Sequence, residues 1–157
     1  MKILIDPGHG LNTPGKRSPD GTLLEAAYNR EIAQLTLSQL QAKGYDAQLL
    51  VPETEDIPLK ERVRRVNAHC TALGKTNVIL ISIHVNAPGD GTRRHTATGW
   101  SCYTCKGHTH CPAVLIENFF MDNKKDLAYL LSQEGRRAIV ETIIDGIERC
   151  VLTLLSG

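Results

Sequence analysis

Apolar positions along this chain come in two patterns. Short, nearly unbroken runs occur at KILID (2–6), NVILISIHVN (77–86) and CPAVLIENFF (111–120). Their length and β-branched content predict strands buried on both faces, and 77–86 has the strongest strand character of all. DAQLLV (46–51) and WSCYT (100–104) predict two further strands. Helical spacing dominates elsewhere. Ile32, Leu35, Leu37 and Leu40 mark a helix from Leu24 to about Lys43, which Gly44 stops. Leu59, Val63, Val66 and Ala68 form a stripe after Asp56-Ile57-Pro58, with Pro58 near the first turn and Gly74-Lys75 at the end. Ile139, Ile143, Ile144, Ile147 and Val151 share a face of a final helix running from about Ser132 or Glu134 to Leu155. APGDGTRRHTATG (87–99) reads as a loop. Strands alternating with helices of this length predict an α/β fold: a single domain, a mainly parallel twisted sheet and helices on both faces.

Composition narrows the partners. The chain has 157 residues, of which 18 Lys and Arg against 17 Asp and Glu give a formal charge of +1, so nothing points to nucleic acid. No apolar run approaches the roughly 20 residues of a membrane helix. Met1-Lys2 leads directly into the first strand without a signal-peptide pattern, which predicts a chain made in the cytoplasm or one already processed. The five cysteines, an odd and scattered set, predict free thiols rather than a disulfide framework. Cys102-x-x-Cys105 followed by His108, His110 and Cys111 raises the alternative of a zinc knuckle. Positions 102 and 105 would face opposite sides of a strand, which argues against it.

In an open α/β sheet, functional groups gather beyond the carboxyl ends of the strands. His9 follows the first strand within Asp6-Pro7-Gly8-His9-Gly10, His84 lies near the end of 77–86, and Glu117 closes Ala113-Val114-Leu115-Ile116. The two histidines also have structural readings, a loop histidine for His9 and a core histidine held by one hydrogen bond for His84, as does Asn86 as a strand terminator. Glu117 is the hardest to dismiss, because a carboxylate at the end of a buried run is costly to desolvate unless something positive or hydrogen-bonding meets it. Glu25 opens the first long helix, where the helix dipole alone favours a carboxylate. Taken together, two imidazoles and a carboxylate are the ligand set of a catalytic Zn²⁺ with an open position, and a second carboxylate suits a proton shuttle.

Four segments in order, IDPGHG, LLEAAYNREIA, ISIHVNA and PAVLIENFFMDN, resemble the signature segments of the zinc-dependent N-acetylmuramoyl-L-alanine amidases that cut bacterial peptidoglycan. The resemblance spans nearly the whole chain. It implies one Zn²⁺ per chain held by His9, Glu25 and His84, with Glu117 as the catalytic glutamate. Asn86, two residues past His84, becomes a candidate for substrate contact or for support of the metal ligands. The implied partner is the muramyl peptide of peptidoglycan, acted on by a monomer at the cell wall after release, as a phage or prophage endolysin would act, with a host remodelling enzyme whose leader has been removed as the second reading. A zinc peptidase on the stem peptide and a non-catalytic peptidoglycan-binding domain are the alternatives. Two features depart from the family pattern. Glu117-Asn118-Phe119-Phe120 stands where members carry Glu-x-Gly-Phe, and only Cys105 to Cys111 separates two strands between which the family commonly has a helical segment.

Overall fold

The computed structural model describes residues 1–88, 92–105 and 107–155. Gly89, Asp90 and Gly91 of the expected loop, and Lys106 between the two late cysteines, lie outside the described residues. Five strands, β1 (Lys2–Pro7), β2 (Asp46–Leu49), β3 (Val78–Asn86), β4 (Ser101–Thr104) and β5 (Ala113–Phe120), form one sheet in the order β2-β1-β3-β5-β4. The first four of these neighbours run parallel, and β4 alone is antiparallel, against β5. Four α-helices accompany them: α1 (Glu25–Ala42), α2 (Leu59–Leu73), α3 (Lys124–Leu131) and α4 (Gln133–Leu155). The α/β expectation, with a mainly parallel sheet and helices on both faces, therefore holds.

Alternation along the central strands divides the core. Ile3, Ile5, Ile79, Ile81 and Ile83 face α1, α3 and α4 in one large cluster. Leu4, Val78 and Leu80 face α2 in a smaller one with Val66, Cys70 and Cys111. Helix cover is thus unequal, and a cavity of about 440 Å³ opens on the α4 side of β5, between Val114, Ile116 and Ile143.

Three helical expectations need correction. Leu35 is exposed on α1, whose inward face is made by Ile32, Ala33, Thr36, Leu37 and Leu40. On α2 the buried residues are Arg62, Val66 and Cys70, while Leu59 is 70% exposed and Ala68 faces solvent. A charge turns inward there because buried Asp6 receives it. Helix α3 was not expected at all. It is only 8 residues long, but Asn123 caps it by accepting hydrogen bonds from the amides of Lys125 (2.9 Å) and Asp126 (3.2 Å), an Asn-x-x-Asp pattern that was readable.

The Asp6–Arg62 pair is a buried charge contact at the edge of the candidate site. Arg62 donates to Asp6 Oδ1 at 2.6 Å and to the carbonyls of Pro7 (2.9 Å) and Ile57 (2.7 Å), while the Ser82 hydroxyl donates to Asp6 Oδ2 at 3.0 Å. Removing one partner strands the other without solvent. Arg62→Met is expected to cost ~3–5 kcal/mol in urea unfolding at neutral pH, the usual cost of breaking a buried pair. Arg64→Met, on the exposed side of the same helix, should leave the midpoint almost unchanged. Equal effects for the two would deny the pair its role in holding β1 to α2.

Candidate metal centre

Strand β1 ends at Pro7, and the chain turns at once. The Gly8 amide donates to the Ile83 carbonyl at 2.9 Å, which sets the turn against β3. A Cβ on Gly8 would lie 2.2 Å from Cε1 of His84, so only glycine leaves room for that imidazole. A Cβ on Gly10 would lie 1.9 Å from the backbone nitrogen of Asp56. Between the two glycines His9 takes a left-handed conformation, φ 62°, which costs a non-glycine residue about 1–2 kcal/mol. Two guanidinium groups hold it there: Arg30 donates to the His9 carbonyl at 2.9 Å and Arg62 at 3.3 Å. Strained backbone of this kind gathers at functional sites.

His84 approaches from β3, and Asn118 donates to its carbonyl at 3.1 Å while accepting from the Trp100 indole at 3.2 Å. Glu25, the first residue of α1, reaches both imidazoles. Its Oε1 lies 3.3 Å from His9 Nε2, 3.2 Å from His84 Nδ1 and 3.3 Å from the Val85 amide nitrogen. The two rings meet edge to face with centroids 5.0 Å apart. Among the described residues this is the one group of three or more His, Cys, Asp or Glu side chains whose ligand atoms lie within 4.8 Å of one another. Cys102, Cys105, His108, His110 and Cys111 therefore assemble no knuckle.

The donor set fits zinc. Tetrahedral ligands at 2.0–2.1 Å from a common centre stand about 3.3–3.4 Å apart, close to both carboxylate–imidazole separations. Glu25 is only 2% exposed. Burial raises its pKa, but the hydrogen bonds from His84 and His9 outweigh it and hold the carboxyl at about 2. The group is thus anionic in a place where an anion needs a cation.

Glu117 sits beside His84 in the β3–β5 register and opposite Ser101 on β4. Its Oε2 is buried without a hydrogen-bond partner. Burial pushes its pKa up, opposed by the nearby positive fields of His84, Lys16 and His9 and reinforced by Glu25. A carboxyl group raised in this way holds its proton more readily than an ordinary carboxylate, which suits a group that must accept and release one.

Just past Glu117, β5 carries one more residue than β3: His84 pairs with Glu117, but Asn86 pairs with Phe120. Phe119 absorbs the bulge at φ 61°, and its ring packs on Tyr129 with centroids 5.1 Å apart. The departure from Glu-x-Gly-Phe thus falls on the residue that adopts a glycine-like conformation. Asn86 is half-buried, and its carbonyl accepts from the Met121 amide at 3.0 Å, which closes the bulge. It does not belong to the three-residue cluster. A cleft of about 610 Å³ opens from His9 and His84 along α2, past Arg62, Thr104, Cys105 and His108.

Residues 3–108 and 91–149 match the family Amidase_3, described as N-acetylmuramoyl-L-alanine amidase. The chain belongs to this amidase family. The N-acetylmuramoyl-L-alanine amidase AmiC of Neisseria meningitidis serogroup B is 31% identical over 150 residues, which are 96% of this chain and 33% of that protein. The chain therefore spans about a third of the length of that curated relative. The crystal structure of an N-acetylmuramoyl-L-alanine amidase from Clostridium difficile 630 superposes with a TM-score of 0.76 at 26% identity, covering 99% of this chain and 97% of that one. AmiC2 of Nostoc punctiforme, also an N-acetylmuramoyl-L-alanine amidase, shares the fold at a TM-score of 0.78 and 21% identity, with 97% of each chain covered.

The structure brings His9, Glu25 and His84 together and sets Glu117 beside His84, held by groups that the sequence pattern did not single out. Arg30 and Arg62 fix the His9 carbonyl, Asn29 donates to the Gly8 carbonyl at 3.3 Å, and Asn118 fixes that of His84. Asn29 and Arg30 both fall within the LLEAAYNREIA segment. The four-residue helical spacing that joins Asn29 to Glu25 was its available signal, whereas Arg30, five residues on, has none of that kind.

Proposed function

We propose that the chain is a zinc-dependent N-acetylmuramoyl-L-alanine amidase, hydrolysing the amide between the lactyl carbonyl of N-acetylmuramic acid and the first L-alanine of the stem peptide. The observation that carries this reading is the convergence of His9, Glu25 and His84 next to a half-buried Glu117 whose Oε2 has no hydrogen-bond partner, in a chain of this family. His9, Glu25 and His84 would hold one Zn²⁺. A bound Zn²⁺ supplies Lewis acidity, polarising the scissile carbonyl and lowering the pKa of water at the open position. Glu117 takes the proton of the attacking water and returns it to the departing amine, so no covalent enzyme intermediate is needed. The clamps on the His9 and His84 carbonyls keep the two imidazoles at their spacing while this happens. Asn86, two residues past His84 on β3, would contact substrate or support the metal ligands.

Purified protein is expected to contain one zinc per chain and to release stem peptides from purified sacculi, with activity lost on chelation and recovered on adding zinc. Mass spectrometry of the products decides the bond. A free lactyl carboxylate on the glycan together with an L-alanine amino terminus on the peptide supports the amidase. Cleavage within the peptide would make the protein a peptidase, and metal-loaded protein that cuts neither would make it a binding domain.

A further inference from the structure

Two cysteines outside the metal centre meet in the smaller core. Cys70, on α2, and Cys111, just before β5, are 5% and 7% exposed and pack in the same cluster as Leu4, Val66 and Leu80. Both are free thiols, and their side chains are close enough to hydrogen bond. The segment carrying Cys111 is also fastened to α2 one turn earlier. The His110 amide donates to Asn67 Oδ1 at 2.9 Å, and Asn67 Nδ2 donates to the His108 carbonyl at 3.3 Å. Because Asn67 and Cys70 are three residues apart on one helix, the bonds at Asn67 bring the next thiol of the segment onto Cys70.

We infer that Cys70 and Cys111 are an oxidation site, a dithiol that closes to a disulfide when the chain meets a disulfide donor. The bond would staple α2, whose Arg62 holds the His9 carbonyl, to the segment that precedes β5 and leads to Glu117. The reaction is thiol–disulfide exchange. One cysteine thiolate attacks a sulfur of the donor disulfide and expels one donor thiolate. The second cysteine then attacks the protein-side sulfur of the mixed disulfide and expels the other. Two electrons and two protons pass from the protein pair to the donor, which ends as two thiols. Burial, together with the hydrogen bond that Cys111 donates to Cys70, pushes the Cys111 thiol up to about 12, so exchange in the folded chain waits on local opening. This inference rests on the packing of two thiols and holds whatever bond the metal centre cuts.

The full chain is unfolded in urea and refolded in a mixture of reduced and oxidised glutathione, so that access is not limiting. It is then alkylated and digested with trypsin without reduction. The expected product is Val66–Lys75 joined to Gly107–Lys124, about 2 Da lighter than the two reduced peptides together. The Cys102→Ser/Cys105→Ser chain should keep this product, and Cys70→Ser should lose it. The crosslinked chain should melt roughly 5–10 °C above its reduced form, as expected for a bridge closing a loop of this size. Recovery of the two peptides separately alkylated, or a predominance of pairings through Cys102, Cys105 or Cys150, would overturn the assignment. A crosslinked chain that melts below the reduced one would do the same, since it would show a bridge the native packing does not accommodate.

Discussion

Glu117→Gln is expected to retain a full equivalent of zinc and a native circular-dichroism spectrum, yet to hydrolyse sacculi ~10²–10⁴-fold more slowly, the usual contribution of a general base. The substitution preserves shape and removes only the proton-accepting oxygen. Glu117 is suited to this test because it sits beside the ligand His84 in the sheet without being one of the clustered donors, so its loss should separate chemistry from metal binding. Its raised pKa also fixes the sign of the pH profile. A base whose conjugate acid persists to higher pH limits turnover on the acidic side, so wild-type kcat should rise with pH through the range where this carboxyl ionises. That limb should vanish in the variant. Near-normal hydrolysis by zinc-loaded Glu117→Gln would exclude Glu117 as the base. Glu31 and Asp122 would then be the remaining candidates, of which Glu31 is exposed and paired with Arg136 at 3.0 Å and Asp122 is fully buried.

Glu25→Gln should fail differently, losing metal and activity together. Its Oε1 is the point to which both imidazoles and the Val85 amide converge, and its charge is the only formal negative charge among the three donors. An amide of the same shape keeps the position but supplies a neutral, poorly coordinating oxygen, so added zinc should restore a fraction of activity at most. Metal analysis after gel filtration gives the readout. Stoichiometric zinc in this variant would show that the imidazoles recruit their third ligand elsewhere. In the wild type, zinc affinity should fall as pH is lowered, because protons compete for the ligand atoms.

The central strands were legible because a buried parallel strand has to be apolar on both faces, and Ile3-Leu4-Ile5 and Val78-Ile79-Leu80-Ile81 are. The candidate site was legible for a related reason: His9, His84 and Glu117 interrupt or end runs where a polar group is otherwise costly. Arg62 was not, because an arginine on a helix reads as solvent-facing until the buried partner, Asp6, is known, and that partner lies in another element. The same limit hid the Cys70–Cys111 contact, which exists only once α2 has docked against the sheet. Phe119 was flagged as a departure from Gly, but the bulge it occupies follows from the β3–β5 register and has no local sequence pattern of its own.

Uneven cover on the sheet bears on how the molecule yields to heat. The open space on the α4 side, about 440 Å³, lies under β5, while the 610 Å³ cleft lies on the opposite face of the same strand. Beyond it, β4 contributes four residues and the exposed Tyr103. Local opening begins where apolar contact is sparsest, so the β4–β5 margin should fray before the β1–β3 centre moves. The imidazoles are anchored to that centre, whereas the proposed base rides on the margin. Warming would then disorder proton transfer while the ligand cluster still stands, and catalysis would fade some degrees below the temperature at which the fold is lost.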